Sequence, residues 1–481
     1  MDISLRRGFV WPSFEIYGGA KGFYDYGPMG ALLKRNIEEL LRTYYVVEEG
    51  CLEVNCPTVT PEQVWIASGH VKSFADVIIE CQKCGEPYRA DHLVAEHLKI
   101  HTDGMGIPEM QKHIAEAKIV CPKCKGPLGE PYRYNLMFGT SIGPGKTKVT
   151  AYLRPETAQT TYLPFKRLYA TGRERLPMGV MQIGRSYRNE ISPRQGMLRL
   201  REFTQAEIQF FVDPQNKDAE RFGEIKDMKI KIWSEELQNA GKPAVEMTIG
   251  HAIEKGIMKS RMIAYQLARA WQLFIKMGIS ADKLQMRQHK SDERAFYSNE
   301  TWDVEFLSQD YGRVEMVGVS DRTDYDLTAH MNLSKVDMSV NKDGRKFVPH
   351  VIEVAFGIDR PVYCTLESCF VEQTGDKERQ YFKFPKAVAP YRAAVFPLVN
   401  KDGVDKKARE VFEIIKDAGL YVQWDMSGSI GRRYARADEV GIPFCITIDY
   451  DTLKDDTVTI RDRDSMQQER VKISDLVCKL N

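Results

Sequence analysis

No stretch of this chain approaches the roughly 18–20 consecutive apolar residues that a membrane-spanning helix needs, so the sequence predicts no span. Net charge is nearly absent as well. Lys and Arg total 68 against 67 Asp and Glu, which leaves +1. Any nucleic-acid partner would therefore be held by local patches, not by global basicity. There is no internal repeat and no low-complexity tract. The start, Met1-Asp-Ile-Ser-Leu-Arg6, has no apolar signal-peptide core. Ten cysteines in 481 residues are too sparse for a disulfide framework. The expectation is a cytoplasmic, reducing setting in which clustered cysteines serve metal. A working phosphate loop is missing too: Gly143-Pro-Gly-Lys-Thr147 has Thr140 where the first Gly is required.

What is present is an ordinary soluble composition, 43% hydrophobic and 28% charged, long enough for two or three domains. Two distant segments stand out. One is Ser186-Tyr-Arg188-Asn189-Glu190, followed by a loop with Arg194 and then Arg199-Leu200-Arg201-Glu202-Phe203. The other is Glu353-Val354-Ala355-Phe356-Gly-Ile-Asp-Arg360. Each sets an arginine near a carboxylate at the edge of an apolar stretch. Arginine stays charged at any physiological pH, and its planar fork fits phosphate. Two such segments suggest a polyphosphate gripped from two sides.

Alternation over 180–190 puts Gln182, Gly184, Ser186, Arg188 and Glu190 on one strand face. Over 202–212, Phe203, Gln205, Glu207 and Gln209 share a face opposite Thr204, Ala206, Ile208 and Phe210. Two such strands suit an antiparallel sheet with helices on one side and the site on the polar face. A third strand is expected from Val348 to Glu353, then a helix from near Phe356 that carries Arg360 in its first turn, where anions are favoured. Glu353 ends an apolar strand, and two more acids are candidates beside it: Glu156 in Leu153-Arg-Pro-Glu-Thr-Ala-Gln159 and Glu207 on the polar strand face. Buried carboxylates are costly unless paired with a cation, and a substrate ammonium would serve.

Cys81-Gln-Lys-Cys84 and Cys121-Pro-Lys-Cys124 are two CxxC knuckles, each with a glycine nearby, and predict a tetrahedral zinc site of four cysteines. Their 36-residue separation leaves His92, His97, His101 and His113 as possible replacements. Further expectations are a helix over 31–45 and a strand over 46–54. Residues 215–280 read as mostly helical. A compact α/β pattern follows a Pro-bearing linker near 382–391: strand 392–399, helix 404–418, strand 420–425, helix 430–440, strand 443–449.

Taken together, these blocks resemble a known family. Ala31 to Pro57, Arg188 to Phe203 and Phe356 to Arg360 look like the three signature motifs of class II aminoacyl-tRNA synthetases. Pro12-Ser-Phe-Glu-Ile-Tyr-Gly-Gly19, Ala67-Ser-Gly-His70, Arg154-Pro-Glu-Thr-Ala-Gln159, Gly318-Val-Ser-Asp-Arg-Thr-Asp-Tyr-Asp326 and Gly428-Ser-Ile-Gly-Arg-Arg-Tyr-Ala-Arg436 resemble the dimeric glycyl-tRNA synthetases of archaea and eukaryotes. The resemblance implies an α+β fold, a class II antiparallel sheet flanked by helices, across residues 1–385. Within it would lie a zinc-ribbon-like insertion at 80–135 and a mostly helical one at 213–280. An α/β anticodon-binding domain would fill 386–481.

The same resemblance implies ATP-dependent formation of glycyl-adenylate and transfer of glycine to tRNA(Gly) by a cytoplasmic homodimer, with Mg2+ and a structural Zn2+. ATP would meet Arg188, Asn189, Glu190, Arg199, Leu200, Phe203, Glu315, Met316 and Arg360, with Arg188 and Arg360 catalytic. Glycine would meet Glu156, Glu207, Glu353, Val354 and Ala355. The family usually reads Glu-Pro-Ser at the last site, so a hydroxyl contact is absent here. Arg432, Arg433 and Arg436 would face tRNA, with Arg461 and Arg463 adding local charge. Competing expectations are a synthetase-like binding protein without catalysis, which should have lost the motif arginines, and a class II enzyme of other specificity, which the three acids disfavour.

Overall fold

The computed structural model describes residues 2–100, 102, 105–191, 193, 195–294, 298–373 and 379–480. Arg194 and His101 lie outside the described residues. The centre is a nine-stranded sheet formed by β1 (Leu52–Val54), β2 (Met178–Tyr187), β3 (Glu202–Val212), β4 (Lys229–Trp233), β5 (Val245–Thr248), β6 (Leu284–Gln288), β7 (Thr301–Ser308), β8 (Gly312–Thr323) and β9 (His350–Gly357). In space the order is β5-β4-β6-β7-β8-β9-β3-β2-β1. All neighbours are antiparallel except β1–β2 and β4–β6.

The period-2 pattern of β3 and β9 sorts the two faces. Ala206, Ile208 and Phe210, with Ile352, Val354 and Phe356, pack against three helices. These are α1 (Pro28–Arg42), α2 (Arg261–Lys276) and α3 (Asp359–Cys369). Their buried stripes include Leu33, Ile37 and Leu41, Leu267 and Phe274, and Val362. The opposite face is not bare, as had been expected. The helices Ala158–Tyr162, Phe165–Thr171 and Tyr325–Ser334 cover one end of it, where Tyr162, Phe165 and Leu327 meet Val180, Phe211 and Val351. The remaining end of that face is a cleft.

Three local expectations need correction. The β-branched pair Val46-Val47 read as a strand, yet α1 continues as a wide π-type turn, Thr43–Glu48, and β1 spans only Leu52–Val54. Long-range pairing decides this. Glu49 accepts hydrogen bonds from Arg221 and Tyr265, Glu48 bonds Arg269, and the Tyr44 and Tyr45 rings are buried. Residues 213–280 are helical in part, but they also supply β4 and β5, which complete the sheet edge. The third concerns α3, which starts at Asp359 because β9 runs on to Gly357; Arg360 is still in its first turn.

Beyond the linker, strands Ala393–Pro397, Val422–Trp424 and Phe444–Ile448 alternate with helices Val404–Asp417 and Ile430–Glu439 as the pattern indicated. Two further strands, Thr457–Asp462 and Gln468–Lys472, complete a five-stranded sheet with its own core. Among the described residues, no helix is long and apolar enough to cross a membrane.

Candidate functional site

The cleft on the open end of the sheet has a volume of about 400 Å³. It brings together Glu156, Arg188, Glu190, Arg199, Leu200, Phe203, Glu207, Glu315, Glu353, Ala355 and Arg360. Register explains the grouping: Glu207 lies opposite Gln182 on β2 and Ala355 on β9, so all three share the cleft face. The same alternation removes two expected members. The Val354 and Met316 side chains point to the helical core and are buried there. Asn189 turns toward the 75–135 region, where its side chain bonds the Tyr134 hydroxyl.

At the cationic end, Arg188 lies beyond the end of β2. Its guanidinium sits between the Phe74 and Phe203 rings, 5.5 and 5.3 Å from their centroids. Nε donates to the Pro155 carbonyl at 3.2 Å. Arg199 donates to Glu190 at 2.7 Å. Across the cleft, Arg360 donates to the carbonyl of Glu315 at 2.9 Å and pairs with its carboxylate at 3.3 Å. Two cations thus face each other from separate elements, each held by neighbours that leave further N–H donors.

The acidic end is organised by a residue to which the sequence reading gave no role. Arg322, buried on β8, donates to both oxygens of Asp326 at 2.7 and 2.8 Å and to Glu353 at 3.3 Å. The other oxygen of Glu353 accepts from Gln209 at 3.1 Å and the Tyr162 hydroxyl at 3.5 Å. Glu156 accepts from Gln159 at 3.0 Å and lies 3.4 Å from His70. Glu207 differs. Gln205 donates to its Oε1 at 2.9 Å; its buried Oε2 makes no close hydrogen bond among the described residues, although the Thr157 hydroxyl favours its ionised form.

These environments spread the acidities of like groups. Burial would raise Glu156, yet His70 and then Arg322 hold it well below the usual carboxylate range. Burial, with the charges of Glu353 and Glu156, pushes Glu207 up to about 8. Glu353 also rises through burial, although Arg322 opposes the shift. Four acids (Glu156, Glu207, Glu353, Asp326) therefore share one arginine and one histidine. Positive charge in the pocket falls short of the acids, and the acid with the fewest partners is Glu207. Arg322 and His70 lay inside sequence blocks already singled out, Gly318–Asp326 and Ala67–His70. Only their long-range pairing was invisible.

Cys81, Cys84, Cys121 and Cys124 bring their Sγ atoms within 4.8 Å of one another, and no histidine joins them among the described residues. The two knuckles repeat one backbone pattern. The amides of Gly85 and Lys125 bond the carbonyls of Cys81 and Cys121, whose own amides bond Glu86 and Gly126. Sγ separations of 3.4 Å (Cys81–Cys124) and 3.7 Å (Cys84–Cys121) approach the ~3.8 Å edge of a tetrahedron with ~2.3 Å metal–sulfur bonds. Gly126 is needed beside them, since a Cβ there would lie 2.7 Å from the Lys83 side chain and 3.2 Å from two of the sulfurs.

The C-terminal arginines are mostly committed internally. Arg433 is buried and donates to the carbonyls of Pro397 and Gly428. Arg436 pairs with Asp425 at 2.7 Å, Arg461 is bidentate to Asp438, and Arg463 caps the carbonyls of Gly441 and Phe384. Arg432 is exposed. The segment Gly143–Thr147 lies on an exposed hairpin between Phe138–Ile142 and Val149–Leu153, not before a helix, which agrees with its rejection as a phosphate loop.

Comparison with known proteins gives a consistent picture. Residues 145–369 match the family model of the tRNA synthetase class II core domain (G, H, P, S and T), and residues 392–481 match that of the anticodon binding domain. The glycine--tRNA ligase of Methanothrix thermoacetophila is 43% identical over 545 aligned positions, covering 98% of this chain and 94% of the relative. That of Methanocaldococcus jannaschii is 42% identical, covering 99% and 97%. The alignments are longer than the chain, so these relatives carry segments that it lacks. Among solved structures, prolyl-tRNA synthetase of Giardia lamblia in complex with prolyl-adenylate superposes with a TM-score of 0.59 over 99% of this chain and 75% of that one. At 14% identity this is a likeness of fold.

The Arg322 arrangement generates a test. Arg322→Met keeps bulk but leaves Asp326 and Glu353 buried without their cation, which should cost about 3–5 kcal/mol. Urea unfolding followed by fluorescence should show a clearly lowered midpoint. An unchanged midpoint would mean the pair is not fixed as described.

Proposed function

The chain belongs to the glycine--tRNA ligase family, and from that premise we infer that it activates glycine with ATP and passes the glycyl group to the 3′ end of tRNA(Gly). The observation that carries the reading is the division of one cleft into a cationic end, Arg188 and Arg360, and an acidic end where a buried Glu207 oxygen makes no close hydrogen bond among the described residues. An amino acid has the complementary charges: its ammonium belongs among the acids, its carboxylate toward the arginines.

In activation, a glycine carboxylate oxygen attacks the α-phosphorus of ATP and pyrophosphate leaves. No protein nucleophile is needed, because positioning and charge stabilisation supply the catalysis. Arg188, stacked between Phe74 and Phe203, meets the α-phosphate, and Arg360 the far phosphates. Phe203 and Leu200 flank the adenine, with Glu190 and Arg199 at its edge. Glu315 offers a carboxylate to Mg2+ arriving with ATP, in keeping with that ion's habit of taking one or two protein oxygens plus phosphates. The ion would neutralise charge on the leaving pyrophosphate. Glycine has no side chain to grip, so selection works by exclusion.

The four thiols fit Zn2+, which would act structurally by tying two knuckles 36 residues apart. The tRNA anticodon end falls to the C-terminal domain, with Arg432 as the cation offered to it. Arg433 is buried and shapes that surface, while Arg436, its side chain 34% exposed beside Asp425, is a second cation on offer. A second copy of the chain fits the exposed Ile16 and Tyr17, 88% and 86% accessible on the N-terminal loop. A binding protein without catalysis is disfavoured because both cleft arginines are retained and held in place.

ATP–pyrophosphate exchange tests the reading directly. Exchange should depend on glycine and not respond to alanine, serine or proline; the reverse pattern would overturn it. Arg360→Ala should abolish exchange while tRNA binding by filter retention persists, and equal loss of both would contradict the division of roles. Metal analysis should find about one zinc per chain, and Cys121→Ser should lose it with a lowered Tm. A zinc-free chain with the same Tm would refute the metal assignment.

A further inference from the structure

Residues 20–26 hold none of the groups assigned to ATP or glycine, yet they touch both arginine-bearing elements of the cleft. At one end lies the loop that follows Arg188. The carbonyl of Gly22 accepts from the Arg201 amide at 2.8 Å, and that of Lys21 accepts from Arg201 Nη1 at 2.7 Å. The same guanidinium donates through Nε and Nη2 to the carbonyl of Glu190, at 3.0 and 2.7 Å. The carbonyl of Arg201 in turn accepts from the Arg188 amide at 2.9 Å. Gly22 is closely packed here. Its φ is +79°, and a Cβ would lie 2.7 Å from the Pro193 side chain and 3.3 Å from that of Arg201.

At the other end lies the start of α3. The Tyr26 ring packs against the main core, and its hydroxyl donates to Oδ1 of Asp359. Asp359 is buried, and its Oδ2 accepts from the Thr204 amide on β3 at 2.7 Å. The Ile358 amide donates to the Thr204 carbonyl at 2.8 Å. Asp359 thus pins the first turn of α3 to β3, and Tyr26 is the second donor to that pin. The next residue is Arg360, whose Nε reaches the Leu198 carbonyl at 3.3 Å and whose Nη1 reaches that of Glu315 at 2.9 Å. The segment between the two ends is itself braced. Residues 24–26 pair with Val10–Pro12, Ser13 Oγ donates to Asp25 at 2.8 Å, and the Phe14 and Phe23 rings meet edge-on at 5.7 Å.

We propose that residues 20–26 are a strap that fixes the separation of Arg188 and Arg360, Tyr26 positioning Arg360 through Asp359 and the Gly22 turn positioning Arg188 through Arg201. The proposal rests on the glycine-activation reading, in which Arg188 meets the α-phosphate and Arg360 the far phosphates, and deepens it. In-line displacement needs both cations at set places, and a displacement of about 1 Å costs on the order of 100-fold in rate. The two ends of the strap therefore act on different parts of the nucleotide. AMP offers only the phosphate that Arg188 meets, whereas ATP also offers those that Arg360 meets.

The test is calorimetric affinity for ATP and for AMP, with pyrophosphate exchange alongside. Tyr26→Phe keeps the ring and removes only the hydroxyl. Its Kd for ATP should rise roughly 5- to 20-fold, as for a lost hydrogen bond to a charged group. Its Kd for AMP and its KM for glycine should stay within about twofold. Asp359→Asn, which removes the charge of the pin and keeps its shape, should show the same ATP-selective loss. Gly22→Ala should instead weaken ATP and AMP by similar factors. On an Arg360→Lys background, Tyr26→Phe should cost less ATP affinity than in the parent chain. A contribution to folding alone would lower Tm and leave the ratio of ATP to AMP affinity where it was. An unchanged ratio in both Tyr26→Phe and Asp359→Asn, parental affinities in Gly22→Ala, or strict additivity with Arg360→Lys would overturn the proposal. A parent chain with no glycine-dependent exchange would instead overturn the functional reading beneath it.

Discussion

The buried Arg322 cluster is the constraint on which the cleft depends. A single guanidinium on β8 holds Asp326 in a two-point pair and reaches Glu353 on the neighbouring strand. Fully buried carboxylates are tolerated only with such compensation. With the paired acids and His70 accounted for, the electrostatic deficit falls on Glu207. That residue cannot ionise easily at neutral pH while the cleft is empty of cations. A cation entering the cleft there would supply charge that the protein itself does not. Excess charge elsewhere in the site would broaden what it accepts, so the exact pairing of the other acids is part of selectivity.

The rest of the fold delivers these residues to one face. Hydrophobic alternation on β3 and β9 commits one side to α1, α2 and α3 and frees the other. Helices 158–162 and 165–171 then close one end of the free side, leaving a cleft at the other. Close approach matters behind the floor. Arg154, itself buried, donates to the carbonyls of Arg185 and Cys56 and to Gln182. Its NH2 would lie 2.1 Å from a Cβ at position 184, so only glycine fits there. The region around the thiol cluster joins the same assembly. Its strand Ala75–Glu80 follows Phe74, which stacks on Arg188, and the carbonyl of Leu136 accepts from the Asn189 amide.

Much of this was legible in the sequence because the signals were local. The spacing of two CxxC pairs gives a four-thiol cluster, period-2 runs give β2 and β3, and short α/β alternation gives the C-terminal elements. What escaped depended on partners far away in the chain. Val46-Val47 has strand propensity but is overruled by Glu48 and Glu49 pairing with α2 and Arg221. A cationic run such as Arg432-Arg433 reads as a surface until backbone carbonyls are seen to consume Arg433. The residues 229–233 and 245–248 join the sheet only because β6 offers an edge. Likewise, nothing in the spacing of Arg322 reveals that it also meets Glu353.

The central claim is that Glu207 awaits a cation, and proton inventory tests it most directly. In the empty cleft Glu207 is raised to about 8, so at pH 7 it holds a proton. An entering ammonium favours the carboxylate, lowers that pKa and expels the proton; affinity for glycine should therefore improve as pH climbs toward 8. Calorimetric titration of glycine at pH 7, in buffers of different ionisation enthalpy, should reveal release of up to about one proton. The release should fade at pH 9 and vanish in Glu207→Gln. Binding of glycine with no proton exchange at pH 7, or with release unchanged in that variant, would contradict the account.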